Sequence, residues 1–261
     1  QKEHVVMIHG AYHDFMYEWS DQVDAFVAES PSLVHFVQRF GRVAPWKVSN
    51  LPNAAPDEVF QLPLLSHDEK LKDGVGHIVT ASRLSKDKTP QIDSVEEAVR
   101  ALSELYPDIK WQIDVCGDGP LRDYFDRRYR MLSRELKNVS HVMHGWVLPQ
   151  DVPQMMNKAF LTVTAGMAGM RALASGSLCL GTGARATVGI QTGKNLRAGV
   201  WSNFGDHGVF RFNPNSVRHD LEMLVADSAY DDAVAVARSV VKKGNSQKVV
   251  DGLMYAALQC Y

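Results

Sequence analysis

Cysteine is scarce in this chain: three in 261 residues, at Cys116, Cys179 and Cys260. An odd number without close spacing excludes a disulfide framework and a cysteine-rich metal site. Cys116 and Cys179 sit inside apolar runs and read as buried free thiols, which fits a reducing, cytoplasmic setting. Charge of one sign is also lacking. Lys and Arg total 28 against 30 Asp and Glu, a net charge of -2, so no basic surplus points to nucleic acid or an acidic membrane. No charged-then-apolar signal segment follows Gln1, and a start at Gln reads as a processed end or as part of a longer polypeptide. Repeats and low-complexity tracts are missing as well.

A long uninterrupted apolar run is the remaining absence. The nearest approach is Ala159–Gly183, AFLTVTAGMAGMRALASGSLCLGTG, whose only charge is Arg171. Small-residue breaks divide it, and an arginine at mid-span would cost about 2.5–3.5 kcal/mol or more in a bilayer. It reads instead as strand (Phe160–Thr164), glycine turn (Gly166–Gly169), short helix (Met170–Ser175), Gly176, and a second strand (Leu178–Leu180). That is the repeating unit of a parallel α/β sheet. Backbone N–H groups at such a turn, backed by a helix N-terminus, make an anion site. Arg171 follows the turn directly. A cation in a first helical turn opposes the helix dipole, so it calls for a bound phosphate, a protein carboxylate or full solvation.

What is present elsewhere is alternating strand and helix. His4–His9 and Asp24–Glu29 read as strands. Ser30-Pro31 opens a helix with an N-cap and a proline at its first position, and Gly41 closes it. Lys47–Leu51 gives a third short strand, so residues 1–53 supply at most three. They read as part of a domain whose sheet edge another chain or segment completes. Residues 54–76, with Pro56, Pro63, Gly74 and Gly76 and no sustained period, read as a linker. Strands are expected over His77–Ala81, Trp111–Cys116 and Val139–Met143. Ser94 and Glu97 match a capping box ahead of a helix, and Leu121–Leu136 forms an arginine-rich helix with interleaved acids. A short helix is expected over Gln150–Asn157 and a short strand over Phe210–Phe212. Helices are expected over Ser216–Ala226, Asp231–Lys242 and Ser246–Gln259.

Chemistry concentrates at the strand ends. ASRLSKDK places Arg83 and Lys88 after one strand, on the same edge as the glycine turn, a pairing suited to a diphosphate. Gly181–Ala186 imitates the dinucleotide fingerprint G-x-G-x-x-A, without a clear helix after it. His9 with His13, or His141 with His144, suggests no metal site, since the second pair points to opposite strand faces and no carboxylate or cysteine completes either set. No G-x-S-x-G nucleophile elbow occurs.

ASRLSKDK, VCGDGP, HGWV and ALASG, in this order, resemble the donor domain of the family-4 GT-B glycosyltransferases. There the pattern is G-R-L-x-x-x-K, G-x-G-P, x-G-x-V and E-A-M-A-x-G. IHG near the start and VSNLPNA before the linker resemble that family's first domain. The resemblance implies an α/β chain: a GT-B-like, Rossmann-like donor domain with a parallel sheet over 77–235, and an incomplete α/β acceptor-side domain over 1–53. A C-terminal helix over 236–261 would cross back to the first domain. It also implies that Arg83 and Lys88 contact the donor diphosphate, while Gly145, Trp146 and Val147 lie by the nucleotide base. Gly117 would allow close approach of the chain, as would Gly119, and Gly166 and Gly169 would line the donor turn. His9, beside the transferred sugar, and Arg171 are the candidate catalytic residues. The expected activity is retaining, metal-free sugar transfer from a nucleotide-sugar to an unknown acceptor, with no cofactor beyond that donor. The alternatives are a non-catalytic subunit binding a partner or glycan, and a sugar-nucleotide epimerase or hydrolase. One departure bears on the choice: the family brackets its turn with two glutamates, and here both are absent, with Arg171 standing at the second.

Overall fold

The computed structural model describes residues 4–12, 14–208, 212–226 and 229–259. Most of the strand expected over Phe210–Phe212 lies outside them, as do His13 and Cys260. Two sheets organise the chain, the first parallel and the second parallel but for one hairpin. The first has the order β1-β2-β3, built from β1 (Val5–Ile8), β2 (Ala25–Ala28) and β3 (Val48–Asn50). Helix α1 (Pro31–Phe40) makes the crossover between β2 and β3. Its cap is the expected one, with Ser30 Oγ accepting from Leu33 N–H at 3.3 Å. Phe26, Val37, Met16, Val23 and Val43 form a small core there. Among the described residues, the outer edges of β1 and β3 pair with no strand, and Val5 and Met7 are exposed on β1.

Residues 54–76 are more ordered than a tether. They hold a 3-10 turn over Asp57–Gln61 and helix α2 (His67–Leu71), which carries a complete capping box between Ser66 and Glu69. Lys70, 5% exposed, donates from Nζ to the carbonyls of Ala159 and Gly176 at 2.8 Å each, which ties this segment to the second sheet.

The second sheet has the order β6-β5-β4-β7-β8-β9. It comprises β4 (Val75–Ala81), β5 (Lys110–Cys116), β6 (Val139–Gly145), β7 (Leu161–Thr164), β8 (Leu178–Thr182) and β9 (Thr187–Ile190). All neighbours run parallel except β8 and β9, an antiparallel hairpin. That hairpin occupies Gly181–Ala186, so the apparent dinucleotide fingerprint leads into a strand rather than a helix. Helices α3 (Pro90–Leu105), α4 (Arg122–Glu135), α5 (Val152–Lys158), α6 (Gly166–Ala174), α7 (Gly193–Ser202), α8 (Val217–Ala226) and α9 (Tyr230–Asn245) surround the sheet. One core holds Ile78, Ile113, Trp111 and Phe125; the other holds Val79, Met156, Met170 and Val241.

Two expectations are corrected. Helix α3 starts at Pro90, so Ser94 is interior, and its hydroxyl bonds Thr182 Oγ1 at 2.9 Å instead of capping. Helix α6 starts at Gly166, so the glycine turn is itself its first turn and Arg171 falls in the last, where a cation suits the helix dipole. Helix α9 runs through 235/236, and Ser246 bridges Ala55 ahead of α10 (Gln247–Gln259). Asn245 Nδ2 donates to Asn53 O at 2.9 Å. Three arginines of α4 meet acids: Arg122 with Asp118, Arg130 with Asp126, and Arg128 bonding Glu96 through Nε and Nη2 at 2.9 and 2.8 Å.

Candidate nucleotide site

In a parallel sheet, crossovers that leave in opposite directions from two adjacent strands open a crevice beyond their carboxyl ends. Here strand order reverses between β4 and β7. A cleft of about 510 Å³ lies at that edge, lined by Ala81, Ser82 and Arg83 at the end of β4 and by Cys116–Gly119 at the end of β5. Trp146 and Val147 follow β6, and Met167, Ala168 and Arg171 come from α6. Of the residues expected from sequence, Arg83, Gly117, Trp146, Val147 and Arg171 are brought together in this one cleft.

The loops after β4 and β5 are laid against each other. Ser82 N–H donates to Cys116 O at 3.1 Å, Leu84 N–H to Asp118 O at 2.9 Å, and Leu121 N–H to Leu84 O at 2.9 Å. This zipper requires glycine at 117 and 119. Their φ values are 144° and 156°, and a Cβ would sit 1.9 Å from Ser82 O and 2.5 Å from Leu84 O. The chain approached so closely is therefore the loop that carries Arg83, an exposed residue that lines the cleft.

Trp146 is 77% exposed at the cleft mouth, an unshielded aromatic face. Gly145 sits just behind it and accepts from Gly117 N–H at 2.7 Å. Arg171 lines this cleft and also a second hollow of about 490 Å³ bounded by Pro56, Val59, Pro149 and Pro153. Its Nε is buried without a hydrogen-bond partner among the described residues. Met167 and Ala168 belong to the first turn of α6, whose N–H groups lack partners within the helix.

Lys88, Gly166 and Gly169 lie outside the cleft lining. Lys88 Nζ meets Asp206 Oδ1 at 3.1 Å, and Asp206 Oδ2 lies 3.0 Å from where a Cβ on Gly166 would be. Gly169 serves packing, since a Cβ there would press on Phe204 at 2.9 Å. His9, at the end of β1, pairs through Nδ1 with Glu29 Oε1. Glu29 Oε2 also stands 4.0 Å from His207 Nε2, and His207 Nδ1 bonds Ser30 Oγ at 2.7 Å. Burial pulls the His207 pKa below its ordinary value, against the pull of Asp206 and Glu29. Arg185 Nη2 reaches Ala11 O at 3.0 Å. The carboxyl ends of the two sheets thus face each other, with His9, Glu29, Asp206 and His207 between them.

Sequence reasoning missed Asp206, His207 and Glu29. The run Asn203–Gly208, polar and glycine-rich between helical patterns, was the available signal for the first two. His141 and His144 do diverge: His141 bonds Asp126, while His144 and His77 share buried Asp114 at 2.7 and 2.8 Å. Burial pulls the Asp114 pKa upward, but hydrogen bonds from His77, His144 and Gln112 outweigh it and hold the carboxyl below its usual range. Among the described residues no group of three His, Cys, Asp or Glu is placed to hold a metal ion. Burial pushes both the Cys116 and Cys179 thiols up to about 12, which leaves neither a nucleophile. No helix of the described residues is long and apolar enough to cross a membrane.

No family model matches the chain, and no curated protein matches it by sequence. Solved structures do. HepE of Anabaena, in complex with UDP, aligns with 100% of this chain and 73% of its own at a TM-score of 0.68 and 13% identity. A glycosyltransferase from Rickettsia africae aligns over 97% of this chain and 68% of its own, with a TM-score of 0.63 and 15% identity. A variant of S. aureus TarM, in complex with fondaparinux, alpha-GlcNAc-glycerol and UDP, gives a TM-score of 0.65 at 13% identity. That match spans 97% of this chain and half of TarM. At such identities the likeness is one of fold: the chain has the GT-B glycosyltransferase architecture.

Proposed function

We propose that this chain binds a nucleotide-sugar and transfers its sugar, with retention of anomeric configuration, to an acceptor held against the first domain. The observation that carries the reading is the convergence of Arg83, Trp146, Val147 and Arg171 on one cleft where the strand order reverses. The nucleoside lies along Trp146 and Val147. Its diphosphate meets Arg83, Lys88 and the first turn of α6, and those charges stabilise the leaving group as the glycosidic bond breaks. His9, oriented by Glu29, faces the transferred sugar from the other sheet. HepE and the TarM variant are solved with UDP, which makes a uridine donor the first to try.

Calorimetry with UDP, GDP, ADP, CDP and TDP tests the reading. At least one should bind, and Arg83→Ala should weaken it. Binding of none, or binding indifferent to Arg83, would contradict it. A second reading, a non-catalytic subunit that binds a glycan or a partner chain, is favoured by the three-stranded first sheet, whose edges pair with no strand among the described residues. It predicts diphosphate binding with neither transfer nor donor hydrolysis. Donor turnover without any acceptor would instead mark a hydrolase or an epimerase.

A further inference from the structure

Loop 202–208 adopts an unfavourable backbone. Asn203 and Phe204 have left-handed φ values of 52° and 55°, followed by Gly205 at 92°. A bulky aromatic residue adopts that region only where its surroundings over-determine it, and such places cluster at functional sites. The surroundings here are specific. Gly166 N–H and Asp206 N–H both donate to Asn203 O, at 3.0 and 3.2 Å. His207 N–H donates to Ser202 O and Gly205 N–H to Ser202 Oγ, each at 3.0 Å. The side chain of Phe204 is buried against Gly169, and His207 is anchored on Ser30 of the first domain. These contacts fix one placement, with the Asp206 carboxylate over Gly166.

Three acids stand at this end of the site. Glu29 is engaged by His9 and approached by His207. Asp87 accepts from Ser85 Oγ at 2.5 Å and lies 3.5 Å from Lys88. Asp206 accepts from Lys88 Nζ at Oδ1, while Oδ2 has no hydrogen-bond partner among the described residues and the side chain is 33% exposed. The Asp206 carboxylate thus lies on Lys88 and over Gly166, at the start of the helix whose first turn gives Met167 and Ala168 to the cleft lining.

We propose that Asp206 is the carboxylate that accepts hydrogen bonds from the hydroxyls of the donor's glycosyl group. It supplies from a distant loop an acid that the glycine turn itself lacks. The inference rests on the nucleotide-sugar reading and narrows it: the site takes a neutral, hydroxylated sugar and discriminates against a sugar acid, whose carboxylate would face the Asp206 carboxylate.

The test is calorimetry of the wild-type chain and Asp206→Asn with UDP, UDP-glucose and UDP-glucuronic acid, or the corresponding set for the base that the diphosphate panel selects. The wild type should prefer UDP-glucose to UDP-glucuronic acid by about tenfold or more, the scale of a lost charge-assisted contact. Asp206→Asn should weaken UDP-glucose by about tenfold, leave UDP within about threefold or tighten it, and close the gap to the sugar acid. Equal changes for UDP and UDP-glucose would reduce Asp206 to a counter-ion of Lys88 and overturn the proposal while sparing the nucleotide reading. No binding of any nucleoside diphosphate to the wild type would overturn both. Should Asp206→Asn fail to fold, deoxy analogues of UDP-glucose on the wild type decide the matter. Loss of at least one hydroxyl must weaken binding by about fivefold, and indifference to all of them sinks the proposal.

Discussion

Gly117→Ala asks how firmly the Arg83 loop is held. The added Cβ would lie 1.9 Å from Ser82 O, a backbone atom at the end of β4, so no side-chain rotation relieves the clash. Placing alanine at φ 144° costs about 1–3 kcal/mol by itself. Parting the two loops to make room breaks the bonds Ser82 N–Cys116 O and Leu84 N–Asp118 O, about 1 kcal/mol each. The total, about 3–5 kcal/mol, is a large share of a domain's stability. Gly145→Ala is the matched control. Its φ of 70° is also left-handed, but its Cβ would meet only Arg122 Nη1 at 3.3 Å, the end of a flexible side chain. About 1 kcal/mol is expected there. Urea unfolding followed by far-UV circular dichroism measures both. Equal losses of about 1 kcal/mol or less for the two variants would refute the argument that the loops are zipped through Gly117.

The other predictions rest on single groups. Arg83→Ala and Lys88→Ala should each weaken nucleoside diphosphate by about 1.5–3 kcal/mol and leave nucleoside nearly unaffected, as read by calorimetry. Arg171 lies with Trp146 and Val147 rather than at the first turn of α6, so Arg171→Ala should weaken nucleoside and nucleoside diphosphate by a similar factor, about tenfold. A loss confined to the diphosphate would place Arg171 on the phosphates. Burial depresses the Lys70 pKa from 10.5 to about 7, against the pull of Asp231. Between those two values the unfolded chain binds more protons, so stability rises with pH through this group, and below pH 7 its cost is fully present. The rise from pH 7 to 9 is at most about 2 kcal/mol, because the bonds to Ala159 O and Gly176 O favour the ammonium. Lys70→Met should flatten that slope in urea titrations, and an unchanged slope would show that Lys70 does not titrate there.

Most of the cleft was legible because its parts are local. Arg83, Gly117 and Trp146 each follow a strand directly, and a parallel sheet sends every strand end to the same edge. The features that were not legible depend on distant chain. The first turn of α6 contains two glycines and has no side-chain cap, so its propensity is poor. It forms because Asn203 O takes the Gly166 N–H and Phe204 packs on Gly169, contacts from more than thirty residues away. Ser94 and Glu97 match a cap by spacing, yet Thr182 claims the Ser94 hydroxyl across the sheet. Helix α7 and strand β9 escaped notice because glycines interrupt their short apolar patterns. Asp206 could not be assigned from sequence at all, since only the fold of loop 202–208 carries it to Lys88.

The central claim is that the loops after β4, β5 and β6 and the first turn of α6 form one nucleotide cleft. Hydrogen exchange, with and without saturating UDP or whichever diphosphate binds best, tests it most directly. Protection should appear together at 82–85, 116–119, 145–147 and 166–171. Protection confined to the hairpin at 181–190, or to the proline-lined hollow between 56–62 and 149–154, would contradict it.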